Sequence, residues 1–260
     1  MHRRTFLASA SAAVLVASAA AAKPARLIAG PWSQFGGQAS LDDSIWAGIL
    51  RDHLRMGSDG VARFDYAGVS RERLGQYLRS LAATDPTALT RDAAFAYWSN
   101  LYNALTVDVV AANWPVASIR DIGGSLFSPG PWGEKRIVVA GQQLSLDDVE
   151  HGILRPVFRD PRVHYAVNCA SIGCPNLAAT PWRAAGLSAA LDAAARAYVT
   201  HPRGAEVTSR GLIVSSIYDW FEEDFGGNDA GVIAHLSRHG AAVEGQSRVA
   251  SDRYDWSVNA

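Results

Sequence analysis

The sequence predicts a mixed α+β fold, a single domain with several helices packed on a small sheet and Cys169 at a strand end. Three observations carry this expectation. Residues 91–113 repeat large apolar side chains at helical spacing. Short runs such as "KRIVVAG", "QQLSL" and "GLIVSS" are instead β-branched and bounded by turn formers. Of the 260 residues, 48% are apolar, enough for one large domain or a domain with an extension. The spacing suggests three parts: a signal peptide over 1–22, an N-terminal helical extension over 23–84, and a core over 85–260.

The chain starts "MHRRTFLASASAAVLVASAAAAKPA". Two arginines precede a short apolar stretch, and Ala20 and Ala22 occupy the usual minus-three and minus-one positions of a cleavage site. "RRTFL" also resembles a twin-arginine export signal, with an ordinary Sec signal as the alternative. Either route predicts an exported, periplasmic or secreted protein with export machinery as its transient partner. No stable membrane anchor is expected, because later apolar runs are too short to span a bilayer.

Downstream, Ile45, Trp46, Ile49, Leu50 and Leu54 recur at helical spacing behind Asp42 and Asp43, predicting a helix over about 41–55. Gly57, Gly60 and "VARFDYAGV" predict a turn and an extended piece. A helix over 71–83 ends before Asp85-Pro86, a turn-forming pair. The longest helix, 91–113, carries Phe95, Trp98, Leu101, Leu105, Val109 and Ala112 on one stripe and stops at Pro115. The Gly/Pro-rich stretch 123–133, "GGSLFSPGPWG", reads as a loop long enough to form a lid or rim.

A hairpin turning near Ala140-Gly141 follows. Ser145 and Asp148 have capping-box-like spacing and predict a helix over 146–154. Alternation of Val163, Tyr165 and Val167 with His164, Ala166 and Asn168 predicts the strand that delivers Cys169. A helix over 184–200 and the strand "GLIVSS" come next. A helix opened by Ser216 and Asp219 runs through "YDWFEEDF" to Gly226-Gly227, and "RYDWSVNA" reads as a final strand.

The whole chain has a formal charge of −1. Loss of Arg3 and Arg4 on cleavage after Ala22 leaves 22 basic against 25 acidic residues, a charge of −3. That mild acidity, without a basic stripe, makes nucleic acid an unexpected partner. The expected partner is a small-molecule or peptide substrate.

Both cysteines lie in "VHYAVNCASIGCPNL", residues 163–177. A free thiol is only a few per cent thiolate at neutral pH, so a nucleophile needs a neighbouring base or cation. His151 is the preferred partner of Cys169. Asp147, four residues before His151 on the same helical face, is its better orienter, because adjacent Glu150 points about 100° away. His164 lies at the opposite strand parity from Cys169. The alternative use of these residues is structural: a buried cysteine and a capping histidine.

Two cysteines in an exported chain also permit a Cys169–Cys174 disulfide, which would block resting nucleophilic chemistry. A third reading is a zinc site from His151, His164, Cys169 and Cys174, although their spacing matches no compact ligand pair. Asn100 and Asn103 share one face of the long helix, where asparagine is unfavourable. They fit either braces of the cysteine loop or oxyanion donors, with bracing the commoner use. Arg155 fits an anionic substrate or the helix C-terminus. Glu222, Glu223 and Asp224 read as a solvated helix face.

"YWSNLYNALTV", "LSLDDVEHGILR", "DPRVHYAVNCASIGCPNL" and "YDWFEEDFGG" closely resemble the family called domain of unknown function 547, over roughly residues 85–230, with "YDWSVN" near the end also typical. The family occurs in bacteria and, in longer proteins, in plants and animals. It implies a motif centred on Cys169 that includes Glu150, His151, His164, Asn100 and Asn103. Some eukaryotic members have serine where Cys174 stands, which argues against an obligatory disulfide or zinc site. Some animal relatives join the domain to a glutaredoxin-like module, implying thiol chemistry by association only. The resemblance brings no established activity.

The functional expectation is a cofactor-free, cysteine-dependent hydrolase or acyl/thiol transferase. Cys169 would be its nucleophile, His151 its base, Asp147 or Glu150 its support, and Asn100 and Asn103 its polarising amides. The alternative is a non-catalytic binding module over a buried Cys/His/Asn cluster.

Overall fold

A computed structural model describes residues 23–125 and 128–260. The signal expected over 1–22 lies outside the described residues, as do positions 126 and 127 of the Gly/Pro loop. The architecture is mixed α+β, with helices around small sheets of two or three strands.

Helix α1 (Ser44–His53) leads into the antiparallel pair β1 (Leu54–Met56) and β2 (Ala62–Phe64). Helix α2 (Arg71–Ala82) is capped by Ser70, whose hydroxyl accepts the Arg73 N–H. Thr90 does the same for α3 (Arg91–Ala112) through the Ala93 N–H. Helix α3 is the centre of the molecule. Its apolar stripe is buried from Phe95 to Val109, but so are Tyr97, Tyr102, Ala104 and Val107 on other faces. A helix apolar on nearly every side has to sit inside the fold. One core cluster joins it to Trp32, Trp46, Tyr77, Val149 and Ile153.

Strands β3 (Gly124–Ser125) and β4 (Ser128–Pro129) pair antiparallel within the Gly/Pro stretch. The hairpin β5 (Ile137–Val139) and β6 (Gln142–Leu144) turns at Ala140-Gly141, with φ of 46° and 77°. That two-residue turn with both φ positive matches the twist of the strands. Ser145 and Asp148 then bond reciprocally, side chain to main chain, in the expected capping arrangement.

The helix they open continues as a π-helix, Asp148–Phe158, with Pro156 inside it. Proline has no N–H for the carbonyl five residues back, which is that of His151. The Arg26 amide supplies the missing donor to the His151 carbonyl at 3.0 Å, and the Ile28 amide reaches the Gly152 carbonyl at 3.1 Å. The N-terminal arm is thereby laid along the π-helix, satisfying a buried acceptor that the helix cannot.

Two sequence expectations are corrected next. Val163–Ala166 is a short helix, α4, so Cys169 follows a helical turn and an extended Val167 rather than a strand. Residues 163–168 are all buried, polar ones included. The alternation therefore reflects buried hydrogen-bonding groups among apolar ones and not two faces of a strand. The final strand is also earlier than expected. β9 (Val249–Arg253) pairs parallel with β8 (Gly211–Ser215), which pairs antiparallel with β7 (Ala205–Thr208). Beyond β9, the tail zips along the cysteine loop: Ile172 N–H to Ser257 O and Gly173 N–H to Asp255 O, both at 2.8 Å, and Asn259 N–H to Ala170 O at 3.1 Å.

Helix α5 (Leu187–Val199) and β8 match their predicted segments closely. The "YDWFEEDF" segment breaks into α6 (Ile217–Trp220) and a 3₁₀ turn, Glu222–Phe225, ending at Gly226 with φ 105°. Ser216 does not cap it, because its hydroxyl bonds Asp252 instead. Helix α7 (Asp229–Arg238) follows, capped by Asn228. No helix among the described residues is long and apolar enough to cross a membrane.

Candidate active site

The loop after α4 is held from several directions. Asn103 of α3 donates to the Ala166 carbonyl and accepts the Asn168 N–H, both at 2.8 Å. Asn168 in turn accepts the Ala170 N–H at 2.8 Å and donates to the Pro175 carbonyl at 2.7 Å. Ala170 adopts φ 60°, a left-handed conformation strained for a residue with a Cβ, immediately beside Cys169. Arg203 donates to the Ile172 and Cys174 carbonyls, and the Tyr198 hydroxyl to that of Gly173. Gly173 is required here, since a Cβ would stand 2.9 Å from the Asp255 main chain.

Within that frame the two cysteines are free thiols, Cys169 partly exposed and Cys174 buried. The Cys169 N–H donates to the Cys174 sulfur at 3.0 Å. The Cys169 sulfur lies 3.1 Å from both the Ser171 and Tyr254 hydroxyls, which are 2.8 Å from each other. Burial pushes Cys174 up, but the Cys169 thiol, the Tyr254 hydroxyl, the Cys169 N–H and the Ser171 hydroxyl together bring it down to about 7. Burial pushes Cys169 well above the ordinary thiol range, and the neighbouring Cys174 adds to the effect. The two thiols are therefore electrostatically linked, with Cys174 held below and Cys169 above the ordinary thiol range.

A second polar cluster is built on the π-helix. Arg155, its side chain 0% exposed, reaches Asp224 at 2.5 Å and Glu223 at 2.6 Å. It also donates to the Lys23 carbonyl at 2.5 Å. Asp224, mostly buried, is thus the partner of a buried cation, which corrects its reading as part of a solvated face, whereas Glu223 keeps its exposure while pairing with Arg155. His164 bonds Asp224 through Nε2 at 2.7 Å and faces Glu150 through Nδ1 at 3.8 Å. Burial raises Glu150 to about 7, against opposing contributions from Tyr102 and Arg155. Burial, with the Glu150 carboxyl and the two cysteines adding to it, pushes the Tyr102 hydroxyl well above its ordinary value. Beside Arg155, Asp224 and Ala25 the surface opens into a cavity of ≈ 360 Å³.

His151 belongs to this second cluster. Its Nδ1 accepts from Arg155 at 3.2 Å, and its Nε2 faces Asp147 at 3.8 Å. Burial, with Arg155 and Lys23 nearby, holds the imidazole well below its ordinary pKa. Neutral, with the Nδ1 lone pair taken and Nε2 carrying the proton toward Asp147, it has no free lone pair for a thiol proton. Among the described residues no hydrogen bond joins His151 to Cys169, whose polar neighbours are Ser171, Tyr254 and Cys174. Asp147 does face His151 as its spacing suggested, but it also pairs with Lys23.

Asn100 accepts the Trp182 N–H and donates to the Trp182 carbonyl, at 2.9 and 3.0 Å. Both helix asparagines thus brace main chain around the cysteine loop. The zinc alternative is not assembled: no group of three or more His, Cys, Asp or Glu side chains among the described residues converges for a metal. Sequence reasoning missed Tyr254, Ser171, Asn168 and Asp224. Ser171 and Asn168 flank Cys169 directly and could have been found there, whereas Tyr254 and Asp224 are 85 and 55 residues away in the chain.

No curated protein and no solved structure matches the chain. A family described as "Protein of unknown function, DUF547" does match, over residues 86–199. That segment carries both cysteines, both asparagines, Glu150, His151 and His164, while Tyr254 and Asp224 lie beyond it. Residues 86–199 are thus similar to that family of unknown function.

Proposed function

We propose that the protein is a cysteine-dependent thiol transferase acting by thiol–disulfide exchange at Cys169 and Cys174. One observation carries the reading: the N–H of the partly exposed Cys169 donates to the sulfur of the buried Cys174 at 3.0 Å, which sets two free thiols against each other. Cys174 is then the base for Cys169, a role the geometry does not support for His151. Hydrolysis or acyl transfer at Cys169 would call on a base at its sulfur, and among the described residues Cys174 is the one neighbour there with a pKa brought near neutrality. The N-terminal signal supports an exported site of action.

The exchange runs in two steps. The Cys169 proton passes to the Cys174 thiolate, and the Cys169 sulfur attacks one sulfur of a substrate disulfide. A Cys169 mixed disulfide forms and the second substrate sulfur leaves as thiolate, taking up a proton. Cys174, deprotonated again, attacks the Cys169 sulfur, releasing the first substrate thiol and closing a Cys169–Cys174 disulfide. The substrate is reduced by two electrons and the protein oxidised by two. Exchange with two thiols of a co-substrate reverses both steps and restores the dithiol.

Mass analysis after mixing the reduced protein with an oxidised peptide disulfide tests the reading. Wild type ends two hydrogens lighter, Cys174→Ser stops with the peptide bound to Cys169, and Cys169→Ser stays unmodified. Modification of Cys169→Ser as fast as wild type would overturn the assignment.

A further inference from the structure

Four of the eight tryptophans, Trp32, Trp46, Trp98 and Trp182, are buried in the core. Of the others, Trp132, Trp220 and Trp256 gather half-buried around Tyr254. Trp220 stacks on Trp256 at 5.4 Å, and Trp132 meets Trp256 edge-on at 5.7 Å. The Tyr254 ring lies 4.8 Å from Trp220 and 4.7 Å from Trp256. These rings come from three separate segments: the loop before β5, the end of α6 and the C-terminal tail. All four rings pack against the core and stay partly exposed, a shared surface built from three segments. Tyr254 ties that surface to the thiol, since its hydroxyl lies 3.1 Å from the Cys169 sulfur.

We propose that this aromatic wall is the substrate-recognition surface of the thiol site, and that it selects a peptide with an aromatic side chain beside its reacting cysteine. Trp220 and Trp256 are the specificity-determining residues. The inference rests on the thiol-transfer reading and names its substrate class. Three features favour a peptide. Ring contacts of 5.7 and 4.7 Å separate Trp132 from Tyr254, so the wall runs for roughly the length of three extended residues. The surface is uncharged ring, which rewards a ring and gains little from a small hydrophilic disulfide. At its margin the Arg120 guanidinium lies 5.2 Å over Trp256, and Trp, Tyr and Arg are the residue types that concentrate binding energy in protein contacts.

The test uses Cys169→Ser protein, in which no exchange occurs, and two peptides identical except for Trp or Ala next to an S-methylated cysteine. Calorimetry should find the Trp peptide bound about ten-fold more tightly, as expected for an aromatic anchor. Trp220→Ala or Trp256→Ala, added to that background, should bring the ratio to near one. Should the alanine variants melt early, Trp256→Leu keeps apolar volume while removing the flat ring and carries the same expectation. Equal binding of the two peptides, or a ratio unmoved by these substitutions, overturns the proposal. Exchange of wild type with the disulfide-linked form of the Trp peptide is measured alongside. Tight binding of the S-methylated Trp peptide without exchange of its disulfide would remove the thiol chemistry and leave the binding result standing, so the two readings fail separately.

Discussion

The main-chain N–H of Cys169 donates to the sulfur of Cys174 at 3.0 Å, so one cysteine of the pair supports the anion of the other. In the thiol-exchange proposal the buried sulfur is the acid–base partner and the partly exposed cysteine meets substrate. The surrounding frame of Asn103, Asn168, Arg203 and the C-terminal tail is what holds the contact in place.

Asn103→Ala should destabilise the protein by about 2–3 kcal/mol in urea, because it leaves the Asn168 N–H without its partner and removes a donor to the Ala166 carbonyl. It should also slow alkylation of Cys169, since the loop loses its brace. Asn100→Ala removes similar bonds at Trp182 and should cost comparable stability with a smaller effect on the thiol. Equal slowing in the two variants would count against a local brace.

Arg155→Met leaves Asp224 buried without its cation and should cost about 3–5 kcal/mol at neutral pH. Burial raises Asp224, but His164 and Arg155 outweigh it and hold the carboxyl below its ordinary value. A depressed carboxyl stabilises the fold above its unfolded pKa, and that contribution is lost as pH falls through the folded value. Across a pH series from 7 to 2, the variant's deficit should therefore hold steady down to about 4 and narrow only below it, since the folded carboxyl titrates below 3.8. Urea midpoints along that series decide it, and a deficit that widens in acid would sink the argument.

Glu150 gives the opposite sign. Burial raises it from 4.5 to about 7, so the folded protein binds its proton more tightly than the unfolded chain. Its contribution is fully present below about 4.5 and is lost as pH rises to about 7, on the order of 3 kcal/mol in all. Glu150→Gln has no such proton to lose. Relative to wild type, its stability should improve by that order between pH 4 and 8. A difference independent of pH would show that Glu150 titrates normally.

Much of the scaffold was legible in the sequence because local chemistry wrote it. The helices over 71–83 and 91–113 stand where their spacing put them, Ser145 and Asp148 cap as expected, Ala140-Gly141 forms the hairpin turn, and the apolar density of 91–112 makes α3 the centre. The π-helix was not legible, since its geometry depends on an arm 125 residues earlier supplying the N–H that Pro156 lacks. The strand expected before Cys169 failed because period-two polarity arises equally from buried polar groups such as His164 and Asn168, each with its own partner. The bracing use of Asn100 and Asn103 was legible, because asparagine inside an apolar helix needs buried main chain to bond. The surroundings of His151 were not, since proximity in sequence carries no information about which lone pair is already taken. Tyr254 reaches the Cys169 sulfur only because β9 and the tail fold back along the cysteine loop.

The most direct test of the central claim is the rate of Cys169 alkylation by iodoacetamide between pH 5 and 10, read by mass at that residue, in wild type and in Cys174→Ser. Because the pair gives up its first proton at about 7, the wild-type rate should inflect there. Removing the Cys174 sulfur should abolish that inflection, shift the rise to higher pH, and lower the rate at pH 7 about ten-fold. An unchanged inflection near 7 in Cys174→Ser would contradict the account, because Cys169 would then be activated by something other than Cys174.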